Sequence, residues 1–164
     1  IHDLLQMCAA CSEIPSNIIT MRKIGLNFSN TGSRSCSKLF KKITAEKDDV
    51  FLKKLRALAK ELNLWINLGS WIVKAGKNKA SNRTILIDSD GRIHSRYDKI
   101  HLFDVEISET ERYLESKTYK AGNKAVVSKT PFGKLGLTIC YDLRFPNLSI
   151  QAESTETKIK ILFV

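Results

Sequence analysis

The sequence predicts an α/β sandwich built on a mixed sheet, and three observations carry that reading. One amphipathic helix stands out at residues 48–62. Two hairpin patterns follow it, each with turn chemistry at its tip. Finally, Leu135, Leu137 and Ile139 alternate with Gly136, Thr138 and Cys140, and the run breaks at Tyr-Asp-Leu-Arg-Phe-Pro. That pattern is a buried strand ending at a tight strand-to-helix junction.

The elements follow in order. Residues 1–11 form an opening strand, and residues 12–46 read as loop, with Gly25, Asn27, Asn30, Gly32, Ser33, Ser35 and Ser37 and no clear period. In the helix over 48–62, Phe51, Leu55, Leu58 and Leu62 are spaced i, i+4, i+7, i+11. Asp48 and Asp49 suit its amino end as caps and against the helix dipole. Residues 64–73 are an apolar strand and 75–83 a Gly/Asn/Lys-rich turn. Residues 84–88 and 92–97 pair as a hairpin through Ser89-Asp90-Gly91. Residues 104–123 are polar and irregular, a surface loop. A second hairpin joins 125–130 to 134–140 through Pro131-Phe132-Gly133. Pro146 then opens a helix over 146–153, and a last strand starts at Lys158.

Bulk composition narrows the function classes. The chain has 164 residues with 43% apolar, enough for one domain with a real core. No stretch approaches the roughly 18 apolar residues of a membrane span, so a soluble protein is expected. The start, Ile1 to Met7, lacks the basic and apolar regions of a signal peptide, and both ends read as cut inside structure. The net charge of +10 raises a nucleic-acid reading. The lysines are scattered, however, without a stripe of interleaved aromatics, and a solvated basic surface is the better account. Cys8-Ala9-Ala10-Cys11 is a single CxxC without a second pair or a nearby histidine, so no metal site is expected. Reduced thiols and a cytoplasmic location fit that usage.

Four residues are candidates for chemistry. Cys140 sits where helix-end N–H groups favour a thiolate and an oxyanion; the alternative is a small buried core residue. Lys99, in Arg96-Tyr97-Asp98-Lys99-Ile100-His101-Leu102-Phe103, leaves a strand that enters the core. It is either a fixed inward charge or a surface lysine with a snorkelling stem. Glu115, in Tyr113-Leu114-Glu115-Ser116, is either its neighbour or a solvated loop carboxylate. His101 fits a structural histidine better than a base for Cys140.

The ordered segments NRTILIDSDGRIHSRYDKIHLFDVEI, YLESKTYKAGN and TPFGKLGLTICYDLRFPNL together resemble the carbon–nitrogen hydrolase (nitrilase) superfamily, nearest its Nit-type amidases. The likeness spans residues 48–164, with 1–47 matching loosely, as in a partial domain over 1–164. It implies an α-β-β-α sandwich, incomplete at its carboxyl end, that cleaves non-peptide C–N bonds of small amides without metal or cofactor. Cys140 would be the nucleophile and Lys99 the cation for the tetrahedral intermediate. Glu115 would be the additional glutamate near the triad, and the backbone N–H of Tyr141 an oxyanion donor. The resemblance also implies homodimers.

One position departs from the pattern. The triad glutamate belongs in a segment whose counterpart is Ile24-Gly25-Leu26-Asn27-Phe28-Ser29-Asn30-Thr31-Gly32, where Leu26 takes its place. Only Glu13 and Glu46 lie in the first fifty residues. Leucine takes no proton, and a positioned base contributes roughly 10²–10⁴-fold. Weak hydrolysis, or a non-catalytic interaction module of the same fold, is the expectation.

Overall fold

The computed structural model describes residues 18–21, 40–108, 112–145 and 159–163. It has an α/β architecture. Strand β1 (Ile18–Met21) leads to helix α1 (Val50–Glu61) and strands β2 (Trp65–Lys74), β3 (Ala80–Ile87) and β4 (Ile93–Asp98). These strands form one sheet in the order β1-β2-β3-β4, with β1 parallel to β2 and the rest antiparallel. A ribbon of β5 (Asp104–Glu106) and β6 (Arg112–Leu114) follows. Strands β7 (Val127–Thr130), β8 (Gly133–Thr138) and β9 (Ile159–Phe163) make a further sheet, antiparallel between β7 and β8 and parallel between β8 and β9.

The first sheet buries both faces. On one, Ile66, Leu68, Trp71, Val73, Ile85 and Ile87 pack against Leu52, Leu55 and Ala59 of α1. A register irregularity between Leu68 and Trp71 explains why residues of both parities share this face. On the other, Ile18, Trp65 and Leu86 meet Leu135 of β8, while Tyr97 meets Leu137 and Ile139. The layers run helix, sheet, sheet. Each fully buried aliphatic side chain contributes roughly 1.5–3 kcal/mol, so these two interfaces hold the fold. Polar straps join the sheets at the edge: Ser95 Oγ lies 2.6 Å from Ser128 Oγ, and His94 Nε2 lies 2.8 Å from the Lys129 carbonyl.

Helix α1 starts where expected, and only the first half of its apolar stripe, Phe51 and Leu55, faces the core. Asp49 is its N-cap, accepting the Leu52 N–H at 3.0 Å, and its second oxygen accepts Trp71 Nε1–H at 3.1 Å. Arg56 Nε donates to the Gly91 carbonyl at 2.8 Å. These two ties fix the rotation, so Leu52, Leu55 and the small Ala59 are buried while Leu58 and Leu62 remain 39% and 51% exposed. The stripe through Leu58 and Leu62 is therefore corrected.

Three further expectations change. The loop read over 12–46 contains β1, a strand of four residues that exists by pairing with β2. The turn read over 75–83 ends at Lys79, because Ser81, Asn82 and Arg83 pair with Val73, Ile72 and Trp71. Their polar side chains disguise a strand. Arg83 binds both oxygens of Asp98, at 2.7 and 2.8 Å, and Glu46 at 2.7 Å; these carboxylates, Asp98 foremost, hold its proton more tightly than usual despite burial. The surface loop read over 104–123 instead carries the β5–β6 ribbon and a 3-10 turn, Glu115–Lys117. Its end is bolted down: Ala80 N–H donates to the Thr118 carbonyl at 3.0 Å and Lys120 N–H to Ala80 at 2.8 Å, with Tyr119 buried. Both hairpins form, the second with strands at 127–130 and 133–138 rather than 125–130 and 134–140, and the strand after Lys158 forms as read. The opening strand over 1–11, the Cys8–Cys11 pair, Leu26 and the helix over 146–153 lie outside the described residues.

Candidate active site

Strand β8 ends at Thr138, two residues earlier than its apolar pattern implied, and Cys140 opens a short 3-10 turn, Cys140–Arg144. Ile139 beneath it is fully buried, whereas Cys140 is exposed and unpaired as a free thiol. The core-residue alternative for Cys140 is thereby corrected. Its backbone takes φ 47°, the left-handed region, which costs an L-residue roughly 1–2 kcal/mol. Such a conformation lifts the side chain out of the strand direction and into the open.

Lys99 directly follows β4 and is the opposite case, a charged side chain only 4% exposed. Its Nζ donates to Glu115 Oε2 at 2.6 Å, and the same oxygen accepts the Phe103 N–H at 2.6 Å. The Lys99 backbone is fastened on both sides, its N–H to the Asn82 carbonyl at 2.9 Å and its carbonyl from the Gly122 N–H at 2.8 Å. Glu115 is held in turn by its N–H on the Phe103 carbonyl at 3.2 Å. Next to it, burial pushes the Asp104 carboxyl up. The Ser116 N–H at 2.9 Å, the Ser116 hydroxyl, the Glu115 N–H and the Lys79 charge outweigh that and hold it below its ordinary value. Lys99 is thus an inward charge and Glu115 its partner; both surface alternatives are corrected.

His101 is turned away from the base role. Its Nδ1 lies 2.8 Å from Asp142 Oδ1 and its ring stacks on Phe145 with centroids 3.7 Å apart. Asp142 was not singled out from the sequence, yet it joins the two halves of the site. Its side chain is fully buried and also accepts the Tyr97 hydroxyl at 2.6 Å, the His101 N–H at 2.9 Å and the Ile139 N–H at 3.0 Å. Burial, and then the bond to Asp142, push the Tyr97 phenol well above its ordinary range. The available signal was an acidic residue two positions past the cysteine, at the junction where the strand ends. Around the turn, Tyr141 meets Phe103 and Phe145 edge to face at 5.1 and 5.4 Å. Among the described residues no cluster of His, Cys, Asp and Glu has the make-up of a metal site, and no helix is long and apolar enough to cross a membrane.

The arrangement is an exposed thiol on a strained turn, tied by a buried carboxylate to the segment that carries a buried ammonium. Comparison with known proteins adds to this. The family model described as carbon-nitrogen hydrolase matches residues 27–162. A deaminated glutathione amidase from Yersinia enterocolitica is 40% identical over 114 residues, 66% of this chain and 40% of that protein. An omega-amidase from Homo sapiens is 35% identical over 97 residues, 59% of this chain and 35% of that protein. Among solved structures, the Caenorhabditis elegans NitFhit protein superposes with a TM-score of 0.68 at 31% identity, covering 90% of this chain and 35% of that one. The chain spans about 40% of the length of the first of these curated relatives.

Proposed function

This chain belongs to the carbon–nitrogen hydrolase family, with amidases of the Nit branch among its homologues, and on that premise we propose that it carries an amidase site acting on a small linear amide. The observation that carries the reading is the buried Lys99–Glu115 pair, one residue beyond a strand whose Tyr97 is tied to the Cys140 turn. In the proposed reaction Cys140 Sγ attacks the amide carbonyl as a thiolate, forming a C–S bond while the carbonyl electrons move to oxygen. Lys99 Nζ and the Tyr141 N–H receive that oxyanion. The C–N bond then breaks, the leaving nitrogen takes a proton from water, and ammonia departs. Water hydrolyses the thioester to the acid and restores the thiol.

Glu115 holds the lysine in place, since its Oε2 already accepts two donors. The fold proposed for the whole domain is the α-β-β-α sandwich, working as a homodimer in the cytoplasm. With Leu26 at the expected base position, proton removal falls to solvent and turnover is slow, lower by roughly 10²–10⁴-fold than with a positioned carboxylate. Leu26 also favours a second reading, a non-catalytic module of the same fold. Ammonia release from short ω-amides, compared between the chain and Cys140→Ala, decides between them. A Cys140-dependent rate supports the amidase reading, and identical rates refute it.

A further inference from the structure

We propose that Asp142 is the positioning residue of this site: its carboxylate holds the Cys140 turn and the Lys99 segment in one fixed relation. This role rests on the reading of Cys140 as nucleophile and Lys99 as oxyanion cation. Asp142 is 1% exposed, and a carboxylate buried that deeply needs its lone pairs filled. They are. Oδ2 accepts the Tyr97 hydroxyl at 2.6 Å and the Ile139 N–H at 3.0 Å. Oδ1 accepts the His101 N–H at 2.9 Å and has His101 Nδ1 at 2.8 Å. Ile139 directly precedes the nucleophile, while Tyr97 and His101 flank Lys99 by two residues on either side. One rigid planar group therefore grips both segments.

Two features need that grip. Cys140 sits at φ 47°, and a strained backbone persists only where its surroundings over-determine it. The bond to Ile139 N–H acts at the foot of that turn. Lys99 in turn is the middle of a five-residue span bounded by two of the carboxylate's partners, and His101 is further pinned by Phe145 at the end of the cysteine turn. The group's chemistry matters as much as its place. A carboxylate only accepts, so four partners on two oxygens are compatible. An amide of the same shape presents N–H groups to one pair of partners whichever way it is turned. Asp142→Asn keeps the volume but, whichever way it turns, sets an amide N–H against a backbone N–H, that of Ile139 or that of His101.

The test measures charge at the thiol rather than stability. Cys140 in the full chain is alkylated with iodoacetate, an anion, and with iodoacetamide, which is neutral, and both rates are read at Cys140 by peptide mass mapping. A cation beside the sulfur favours the anion, whereas loosening or a change in thiolate fraction scales both rates together. Lys99→Met calibrates the ratio, with an expected fall of about fivefold for one charge near contact distance in water. Asp142→Asn, with a native near-ultraviolet circular dichroism spectrum, is expected to lower the ratio by at least half of that fall. Tyr97→Phe, which removes one partner, should lower it by less. A ratio unchanged in folded Asp142→Asn overturns the positioning role while leaving the amidase reading intact. A ratio indifferent to Lys99→Met overturns both. If Asp142→Asn does not fold, Tyr97→Phe decides by the same outcomes.

Discussion

Gly122→Ala is the sharpest probe of how Lys99 is held. A Cβ at residue 122 would lie 2.2 Å from the Asp98 carbonyl oxygen, 2.9 Å from its carbon and 3.0 Å from the Asp98 Cβ. Two of these atoms are backbone, and no side chain can swing aside to make room. Relief requires the two strands of chain to part by about 1 Å, to ordinary contact distance. That movement stretches the Gly122 N–H to Lys99 carbonyl bond, now 2.8 Å, beyond hydrogen-bonding range. Overpacking of this kind costs about 1–3 kcal/mol, and the lost bond adds about 0.5–1.5 kcal/mol. The expected loss is about 2–4 kcal/mol, a fall in Tm of about 5–15 °C for a chain of this size. Because the strain falls on the backbone of Lys99 itself, acylation of Cys140 by an amide or activated ester should drop about 10²-fold. Thermal unfolding by circular dichroism and acylation below the variant's Tm measure the two effects. Gly76→Ala separates them, since nothing lies within 4 Å of that position and only its φ of 101° opposes the substitution. A Gly122→Ala protein within about 0.5 kcal/mol of the parent, with unchanged acylation, would refute the claim that close backbone approach fixes Lys99.

Three other outcomes follow from the same geometry. Asp49→Asn can serve only one of the two donors on the cap carboxylate, Leu52 N–H or Trp71 Nε1–H; urea unfolding should show a loss of about 1–3 kcal/mol. Lys99→Met leaves Glu115 16% exposed without its cation; the loss should be about 3–5 kcal/mol, and the double variant Lys99→Met, Glu115→Gln should recover part of it in a thermodynamic cycle. Tyr97 sets an alkaline limit. Its phenol is held well above its ordinary value by burial and by Asp142, so its contribution is complete below about pH 10. Above that, the unfolded tyrosine loses its proton while the folded one keeps it. Stability should then fall by up to about 1.4 kcal/mol per pH unit, with that slope removed in Tyr97→Phe.

The parts of the fold that were legible in the sequence are those built from local signals. The Asp49 cap, the Ser89-Asp90-Gly91 turn and the alternation leading to Cys140 each declare themselves within a few residues. The β5–β6 ribbon did not, because strands of three residues are too short to display a period. Strand β1 was equally hidden, since its pairing partner lies over forty residues away. How far the apolar stripe of α1 is buried is hidden for a related reason. Phe51, Leu55, Leu58 and Leu62 and the buried set Leu52, Leu55 and Ala59 are both sound helical stripes. The choice between them rests on Trp71 and Gly91, which the helix sequence does not contain. At the site, Cys140, Lys99 and Glu115 stood out by residue type and motif. Asp142 emerged only through its partners, which lie 41 and 45 residues upstream.

Those separations bear on how the chain folds. The bonds that assemble the site close loops of 16, 41 and 45 residues, while the two hairpins that flank it close loops of a few residues. Loop-closure entropy grows with chain separation, so the hairpins are available early and the site comes late. The cysteine thus doubles as a clock: its preference for an anionic reagent should emerge only after the two hairpins have formed.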